Sequence, residues 1–328
     1  MNVLVCGGAG YIGSNMTAML AKSGHSPIVY DNLSKGHKAA IVPGVEFIYG
    51  DLADYDKLVR VLRGKKIDAV MHFAAFIEVG ESVNDPLGYY NNNFCNTLNL
   101  LRAMEFVGVS KFVFSSTAAT YGMPQVVPIV ETLTKNPINP YGDSKWAIER
   151  VCQFQSLTGR LNYAALRYFN ACGAGNDGRL GEDHKPESHL IPPIIQAAMG
   201  KREDIKIFGA DYDTPDGTCV RDYIHIEDLC SAHLLALEKL GSLSEQVYNL
   251  GNGNGYSVRQ VIDTVKKVSG RDFKVTQTAR RAGDPAVLTA DASKAKKELA
   301  WRPKWTSLEA IVETAWKWHN DHPNGYAE

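Results

Sequence analysis

Tyr141 and Lys145, in the run Asn139-Pro140-Tyr141-Gly142-Asp143-Ser144-Lys145, stand four residues apart. Four residues is about one helical turn, so on a helix both side chains leave the same face. A fixed ammonium beside a phenol stabilises the phenolate and makes the tyrosine a usable proton acceptor. An unassisted tyrosine titrates near ~10 and is a poor base at neutral pH. The pattern also arises by accident: with 15 tyrosines in the chain, on the order of one Tyr-x-x-x-Lys match is expected by chance. The pair gains its meaning from what surrounds it.

The chain opens on a short apolar run, Val3-Leu4-Val5-Cys6, followed at once by Gly7-Gly8-Ala9-Gly10-Tyr11-Ile12-Gly13. This segment carries both Gly-x-x-Gly-x-x-Gly and Gly-x-Gly-x-x-Gly between a strand and a helix, which is the setting a dinucleotide loop requires. Without side chains the backbone can approach a pyrophosphate, and the helix N-terminus stabilises its charge. A purely structural glycine turn is the plain alternative. Asp31 argues against it, lying at the end of the next apolar run, eighteen residues beyond Gly13. A carboxylate there accepts hydrogen bonds from adenine ribose hydroxyls and repels a 2′-phosphate, which selects NAD over NADP. Asp51-Leu52, after the third run, would flank adenine. Asp51 reads equally as a helix N-cap, and the two roles are compatible.

These residues need a frame. Val3–Cys6, Ile28–Tyr30, Phe47–Tyr49, Ala69–Met71, Phe112–Phe114 and Ala164–Leu166 read as buried strands. Helix-like segments alternate with them: Tyr11–Ser23, Tyr55–Arg63, Pro86–Phe106 and Tyr141–Leu157. Such alternation predicts an α/β fold, a Rossmann-type doubly wound parallel sheet with helices on both faces. After Asn170 the rhythm breaks into glycines, prolines and polar residues, which marks passage into a smaller α/β domain. The expected division is a nucleotide-binding domain over 1–171, to which 222–250 returns, and a substrate domain over 172–328.

Composition excludes several classes. With 45% hydrophobic and 22% charged residues and a formal net charge of −1, the chain has no general electrostatic drive toward nucleic acid or an anionic membrane. No stretch reaches the ~18 apolar residues of a membrane span. The N-terminal run leads straight into the glycine loop, unlike a signal peptide. The expectation is a cytoplasmic protein. Six cysteines without any Cys-x-x-Cys spacing read as reduced, mostly buried thiols. His184 and His189 lie near Asp183 without metal-site spacing, so no metal is expected. Trp301, Trp305, Trp316 and Trp318 read as packing residues of the small domain.

The glycine loop, Asp31-Asn32-Leu33, His72-Phe73-Ala74-Ala75, Phe114-Ser115-Ser116-Thr117, Tyr141-x-x-x-Lys145 and Arg167-Tyr168-Phe169-Asn170 together resemble the extended short-chain dehydrogenase/reductase family. Within it, Val79-Gly80-Glu81-Ser82, Tyr89-Tyr90-Asn91-Asn92-Asn93, Val220 to His225, and Arg280-Arg281 with Gly283-Asp284 are similar to the epimerases that invert C4 of UDP-hexoses, interconverting UDP-galactose and UDP-glucose. The resemblance runs essentially end to end.

It implies a tightly bound NAD that is not consumed, and a UDP-sugar substrate. Tyr141 would take the proton of the 4-hydroxyl, Lys145 would hold the nicotinamide ribose and lower the tyrosine pKa, and Thr117, where relatives often have serine, would bond the 4-oxygen. Cofactor contacts are implied for Gly7, Gly10, Tyr11, Ile12, Gly13, Asp31, Asn32, Leu33, Ser34, Gly36, Asp51, Leu52, Phe73, Ala74, Ala75, Asn92, Ser115 and Phe169. On the substrate side it implies Asn170, His189 and Leu190, with Ile207 and Phe208 flanking uracil, Arg221 and Arg281 on the diphosphate, Asp284 on the uridine ribose, and Leu288. Plain alternatives are a core role for Phe208 and a turn at Asp284-Pro285.

Two departures stand out. Ile77 replaces a lysine common near the cofactor phosphates. Leu288 replaces a tyrosine found where N-acetylated sugars are rejected, so UDP-N-acetylhexosamines become candidate substrates. A nucleotide-sugar dehydratase would need acidic residues after Thr117, where Ala118-Ala119 stand; a reductase with exchangeable cofactor is disfavoured only by the substrate-side motifs. Helices 86–106 and 141–157, with Leu98, Leu101 and Met104, are expected to pair into a homodimeric four-helix bundle, with packing on their own sheet as the alternative.

Overall fold

The computed structural model describes residues 1–243, 246–281 and 283–327. Its centre is a seven-stranded, all-parallel sheet. The strands are β1 (Asn2–Cys6), β2 (Ser26–Asp31), β3 (Glu46–Tyr49), β4 (Ala69–His72), β5 (Lys111–Thr117), β6 (Asn162–Tyr168) and β7 (Val247–Leu250), in the order β7-β6-β5-β4-β1-β2-β3. Both faces are covered, which is why these strands read as unbroken apolar runs. Successive residues of β1 serve opposite cores. Val3 and Val5 pack beside α1 (Tyr11–Lys22), whereas Leu4 and Cys6 face α2 (Tyr55–Gly64), α3 (Asn96–Val107) and α4 (Pro140–Leu157).

The helix expected over 86–106 is interrupted. Pro86–Tyr89 and Asn96–Val107 are α-helical, but Tyr90–Cys95 between them is a π turn. Such turns recur at functional sites because an extra residue re-aims the side chains of one turn. Here Asn93 uses the displacement to grip Phe76, accepting from its N–H at 2.8 Å and donating to its carbonyl at 3.0 Å.

The placement of α4 is the feature the site depends on. Asn139 caps it, accepting from Gly142 N at 2.8 Å, and Pro140 occupies its first turn. A Cβ on Gly142 would lie 2.6 Å from Ala119 O, so only glycine lets the first turn close onto the end of β5. Two turns on, Glu149 is 2% exposed and accepts from Ser116 Oγ of β5 and from Arg167 Nε of β6 at 2.9 Å, with Arg167 Nη2 completing a fork. Ser116 and Arg167 are register partners.

Past β6 a smaller layer begins. Val220–His225 pairs with Asn170–Cys172 and Val287–Leu288 in parallel and with Gly255–Ser257 antiparallel, while Asp204–Phe208 pairs with Lys274–Thr278. Asp222 locks the turn that precedes Gly255–Ser257, accepting from Asn252 N at 2.7 Å and from Gly253 N and Ala290 N at 3.0 Å. Between these pieces the chain comes back to the large sheet. Helix α5 (Ile226–Lys239) packs with α1 on one face, and β7 pairs with β6.

Three packing expectations change. Trp301 is fully buried beside α5 in the core of the large sheet, not in the small layer, because its indole N–H reaches Asp228 O and Ser231 Oγ at 3.0 Å. Leu101 and Met104, expected at a dimer interface, are core residues under the sheet. The exposed large apolar side chains of these helices are instead Phe106 of α3, Phe154 and Leu157 of α4, and Leu87 of the short turn before the π segment.

The Glu149–Arg167 pair yields a stability test. Arg167→Met strands a buried carboxylate and is expected to cost about 3–5 kcal/mol in urea unfolding, with most of the loss recovered in the double variant Arg167→Met/Glu149→Leu. A cost below about 1 kcal/mol for the single change would show that the pair does not anchor α4.

Candidate active site

A cleft of about 1360 Å³ runs between the C-terminal ends of the parallel strands and the small layer. This is where open α/β sheets bind ligands. One end is built on the glycine loop. Gly7 has φ +78°, and a Cβ there would lie 2.5 Å from Ala74 N; one on Gly13 would lie 2.0 Å from Gly7 O. A Cβ on Gly10 would meet only Gly7 O at 3.4 Å, so that face is open to the cleft. Gly10 caps α1 without a side-chain bond and the first turn carries no acid, which leaves the helix N-terminus available to an anion.

Asp31 holds this loop, its carboxylate accepting from Ala9 N at 2.9 Å and Leu33 N at 2.8 Å. Burial pushes its pKa up while those two N–H groups oppose the shift. The remaining lone pairs face the cleft. Asp51 does not cap α2; Asp54 does, accepting from Lys57 N at 2.9 Å. Asp51 instead accepts from Asn32 Nδ2 at 2.7 Å and Ala53 N at 2.8 Å. Tyr11 points its hydroxyl to Gly173 O at 2.6 Å, tying α1 to the chain beyond β6. Lys35, which carries no motif, lies on the cleft wall 3.5 Å from Glu78 and supplies a cation near the place where Ile77 has none.

At the middle of the cleft stand Thr117, at the end of β5, and Tyr141, in the first turn of α4. Thr117 Oγ1 accepts from Ala119 N at 3.1 Å, leaving its own proton to donate. Burial raises the Tyr141 phenol pKa, and a hydrogen bond with the Thr117 hydroxyl opposes the rise. Lys145 sits behind, 3% exposed, donating to Ser115 O at 3.0 Å and lying 4.9 Å over the Phe114 ring. Burial lowers its pKa to about 7. Burial thus works against the fixed ammonium expected from the sequence.

The far end collects the substrate-side residues. Arg221 lies 3.6 Å from Asp284, and the Arg281 guanidinium stacks 3.8 Å over the Phe208 ring. Phe208 is thus an arginine platform at the cleft wall. Leu288 is the register partner of Arg221. Asn170 is fixed by its amide N–H to Asp222 O at 2.8 Å.

Of the residues singled out in the sequence, Leu33, Ser115, Lys145 and Ile207 do not line the cleft; the others do. Leu33 contributes a backbone N–H from a left-handed conformation, φ 57°. Ser115 contributes a carbonyl. Ile207 is a core residue of the small layer, because strand alternation sends it opposite to Phe208.

Around His184 and His189, where no metal is expected from the spacing, the loop gathers further donor groups. Asp183 turns away to His37, at 3.4 Å, while Glu182 and Glu187 join the two histidines. One donor atom from each of the four lies within 4.8 Å of every other.

The fold and cleft define a class: a doubly wound α/β protein with a dinucleotide loop at one end of a cleft and a buried Tyr/Lys pair at its centre. The chain belongs to the NAD dependent epimerase/dehydratase family, whose model matches residues 3–251. It is 48% identical to the UDP-glucose 4-epimerase of Lactobacillus helveticus over 100% of both chains. It is also similar to the solved UDP-glucose 4-epimerase of Brucella ovis in complex with NAD, with a TM-score of 0.93 at 46% identity over 96% of this chain and 97% of that one. The UDP-Glc/GlcNAc 4-epimerase of Campylobacter jejuni matches with a TM-score of 0.86 at 46% identity over 98% and 99%.

The depressed Lys145 pKa sets a pH dependence. Its folded value, about 7, lies below the ~10.4 of a free lysine, so the folded chain binds fewer protons between those values and stability rises with pH across that window. In cofactor-stripped protein, Lys145→Met is expected to be more stable than the parent at pH 6, by on the order of a few kcal/mol, with the gap shrinking toward pH 10. Chemical denaturation at several pH values checks this; a parent as stable as the variant at pH 6 contradicts it.

Proposed function

We propose that this chain is an NAD-dependent epimerase inverting C4 of a UDP-hexose, with UDP-galactose and UDP-glucose as the interconverted pair. The observation that carries the reading is one continuous cleft: an anion-accepting glycine loop at one end, Thr117 and Tyr141 over Lys145 in the middle, and Arg221 with Arg281 at the other end. Two planar guanidinium forks suit a diphosphate, and a buried phenol suits proton exchange with a sugar hydroxyl.

Residues of this end of the cleft would hold the dinucleotide: the α1 N-terminus and Gly10 would receive its pyrophosphate, and Asp31 would accept from its adenine ribose. The chemistry NAD supplies is reversible hydride acceptance at C4, through a transient 4-keto sugar, with the cofactor unchanged at the end. Tyr141 takes the 4-hydroxyl proton and gives it back. Thr117 donates to the 4-oxygen and keeps it facing the phenol. Lys145, anchored on Ser115 O, would hold the nicotinamide ribose, whose hydroxyls would offset its desolvation and favour its charged form. Arg221, Arg281 and Asp284 hold the nucleotide end, so the sugar is free to turn over while the UDP stays put. Leu288, beside Arg221, leaves open the space an aromatic ring would fill, which supports acceptance of a 2-acetamido group.

Incubation with UDP-galactose is expected to yield UDP-glucose with no stoichiometric appearance of NADH. Tyr141→Phe is expected to lower kcat by roughly 10²–10⁴ while UDP binding survives; near-normal turnover removes Tyr141 from the role. Release of one NADH per sugar would instead mark a dehydrogenase. Absence of any UDP-N-acetylglucosamine turnover at high enzyme concentration rules out the wider substrate range.

For assembly, we propose a homodimer that covers Leu87, Phe154 and Leu157, which are 81%, 56% and 78% exposed. Large apolar side chains this exposed are what an interface would cover. Sedimentation at twice the chain mass is expected, and a monomer at micromolar concentration sinks the idea.

A further inference from the structure

We propose that Glu182, His184, Glu187 and His189 form a four-ligand site for a divalent transition metal, zinc in the first place, built into the loop that borders the substrate side of the cleft. All four ligands come from one eight-residue stretch, Glu182 to His189. Each presents one donor atom, and the four lie within 4.8 Å of one another.

Two of the separations are those of a metal centre, and an entering ion would have to part His189 from Glu182, which are in direct contact. A tetrahedral ion with bonds of about 2.0–2.1 Å spaces its ligand atoms about 3.4 Å apart. His184 Nδ1 lies 3.3 Å from Glu182 Oε1 and 3.5 Å from Glu187 Oε2, and His189 Nδ1 lies 3.8 Å from Glu187 Oε1. His189 Nδ1 also contacts Glu182 Oε1. A second observation is independent of these distances. His184 Nδ1 is sealed from solvent, yet makes no well-directed hydrogen bond to either carboxylate. A buried, unpartnered nitrogen 3.3 and 3.5 Å from two carboxylate oxygens is available as a ligand.

Charge points the same way. Two carboxylates and one divalent ion sum to neutrality, with both imidazoles neutral, in a pocket where the Glu182 side chain is 4% exposed. Without an ion, the same neutrality needs both imidazoles protonated. The donor set, two imidazole nitrogens and two carboxylate oxygens, selects zinc-like ions over calcium and magnesium, which take six or more oxygens.

The site would be structural. The His184 ring packs edge-on against Tyr11 at 6.3 Å and against the His189 ring at 5.4 Å. His184, Glu187 and His189 all line the main cleft. An ion there clips the 182–190 loop into one shape against the first turn of α1, fixing the wall on which His189 and Leu190 sit.

The test uses the full chain without a polyhistidine tag. The protein is treated with chelator, equilibrated with zinc sulfate, passed over a desalting column, and its metal content measured by mass spectrometry. About one zinc per chain is expected to be retained. Cobalt(II) in its place is expected to give the intense visible bands of a tetrahedral site. Glu187→Gln and His184→Gln are expected to weaken retention by about ten-fold or more. Should those variants fail to fold, the cobalt spectrum and zinc content of the parent decide alone. A parent that retains no zinc and gives only the pale octahedral cobalt spectrum overturns the proposal and leaves the four residues as an ion-pair cluster. So does retention unchanged in both variants. Because the readouts are metal content and spectrum, failure here is separable from failure of the epimerase reading, which is tested by turnover.

Discussion

The placement of the helix that carries Tyr141 and Lys145 rests on one buried carboxylate. Glu149 shares a helix face with Tyr141 and Lys145, and it meets the side chains of two neighbouring strands, Ser116 and Arg167, that stand opposite each other in register. A helix lying on a sheet by apolar contact alone can slide and roll by fractions of an ångström. A doubly hydrogen-bonded ion pair removes that freedom, because any shift leaves a charge buried without its partner. Gly142 contributes the matching constraint at the other end of the same helix, where the backbone closes onto Ala119. Between those two points the phenol and the Thr117 hydroxyl have little choice of position.

The cofactor end follows a different logic. There the backbone supplies the surface, and Asp31 serves twice: two of its acceptor positions fold the glycine loop, and the rest face the cleft. Substituting this acid would therefore alter the loop's shape along with its ligand preference. The π turn at Tyr90–Cys95 plays a comparable part on the other wall, where Asn93 braces the Phe76 segment and its neighbour Asn92 is brought to the cleft.

Local features were legible before any coordinates. The glycine loop, Asp31, the Tyr141/Lys145 spacing and the strand–helix alternation all depend on residues close in sequence, where periodicity and turn chemistry act directly. What the sequence hid was set by contacts across long separations. Leu101 and Met104 have the spacing of an interface stripe, but a core stripe has the same period, and only the sheet beneath distinguishes them. The depth at which Lys145 is buried, which depresses its pKa, is set by the packing around it and not by its spacing from Tyr141. Ile207 and Phe208 are adjacent, and the pleat alone sends one into the core and the other to the cleft. His184 and His189 suggest no ligand set with Asp183, and the loop indeed directs that acid to His37 and Tyr326 N while Glu182 and Glu187 lie beside the histidines. The resemblance in the late motifs supplied the substrate side, which spacing could not have done.

The return of the chain to its first sheet has a consequence for how the molecule can be cut. A fragment ending near residue 171 would contain every glycine of the loop, the tyrosine and the lysine, yet it would lack β7 and α5. Strand β6 would then present an open row of unpaired amides and carbonyls, and the apolar layer under α1 would lie bare to water. The half that looks self-sufficient on paper is thus an unfinished object. Ribosomal synthesis must carry the nascent polypeptide beyond residue 250 before the cofactor half can seal, so the two halves mature together.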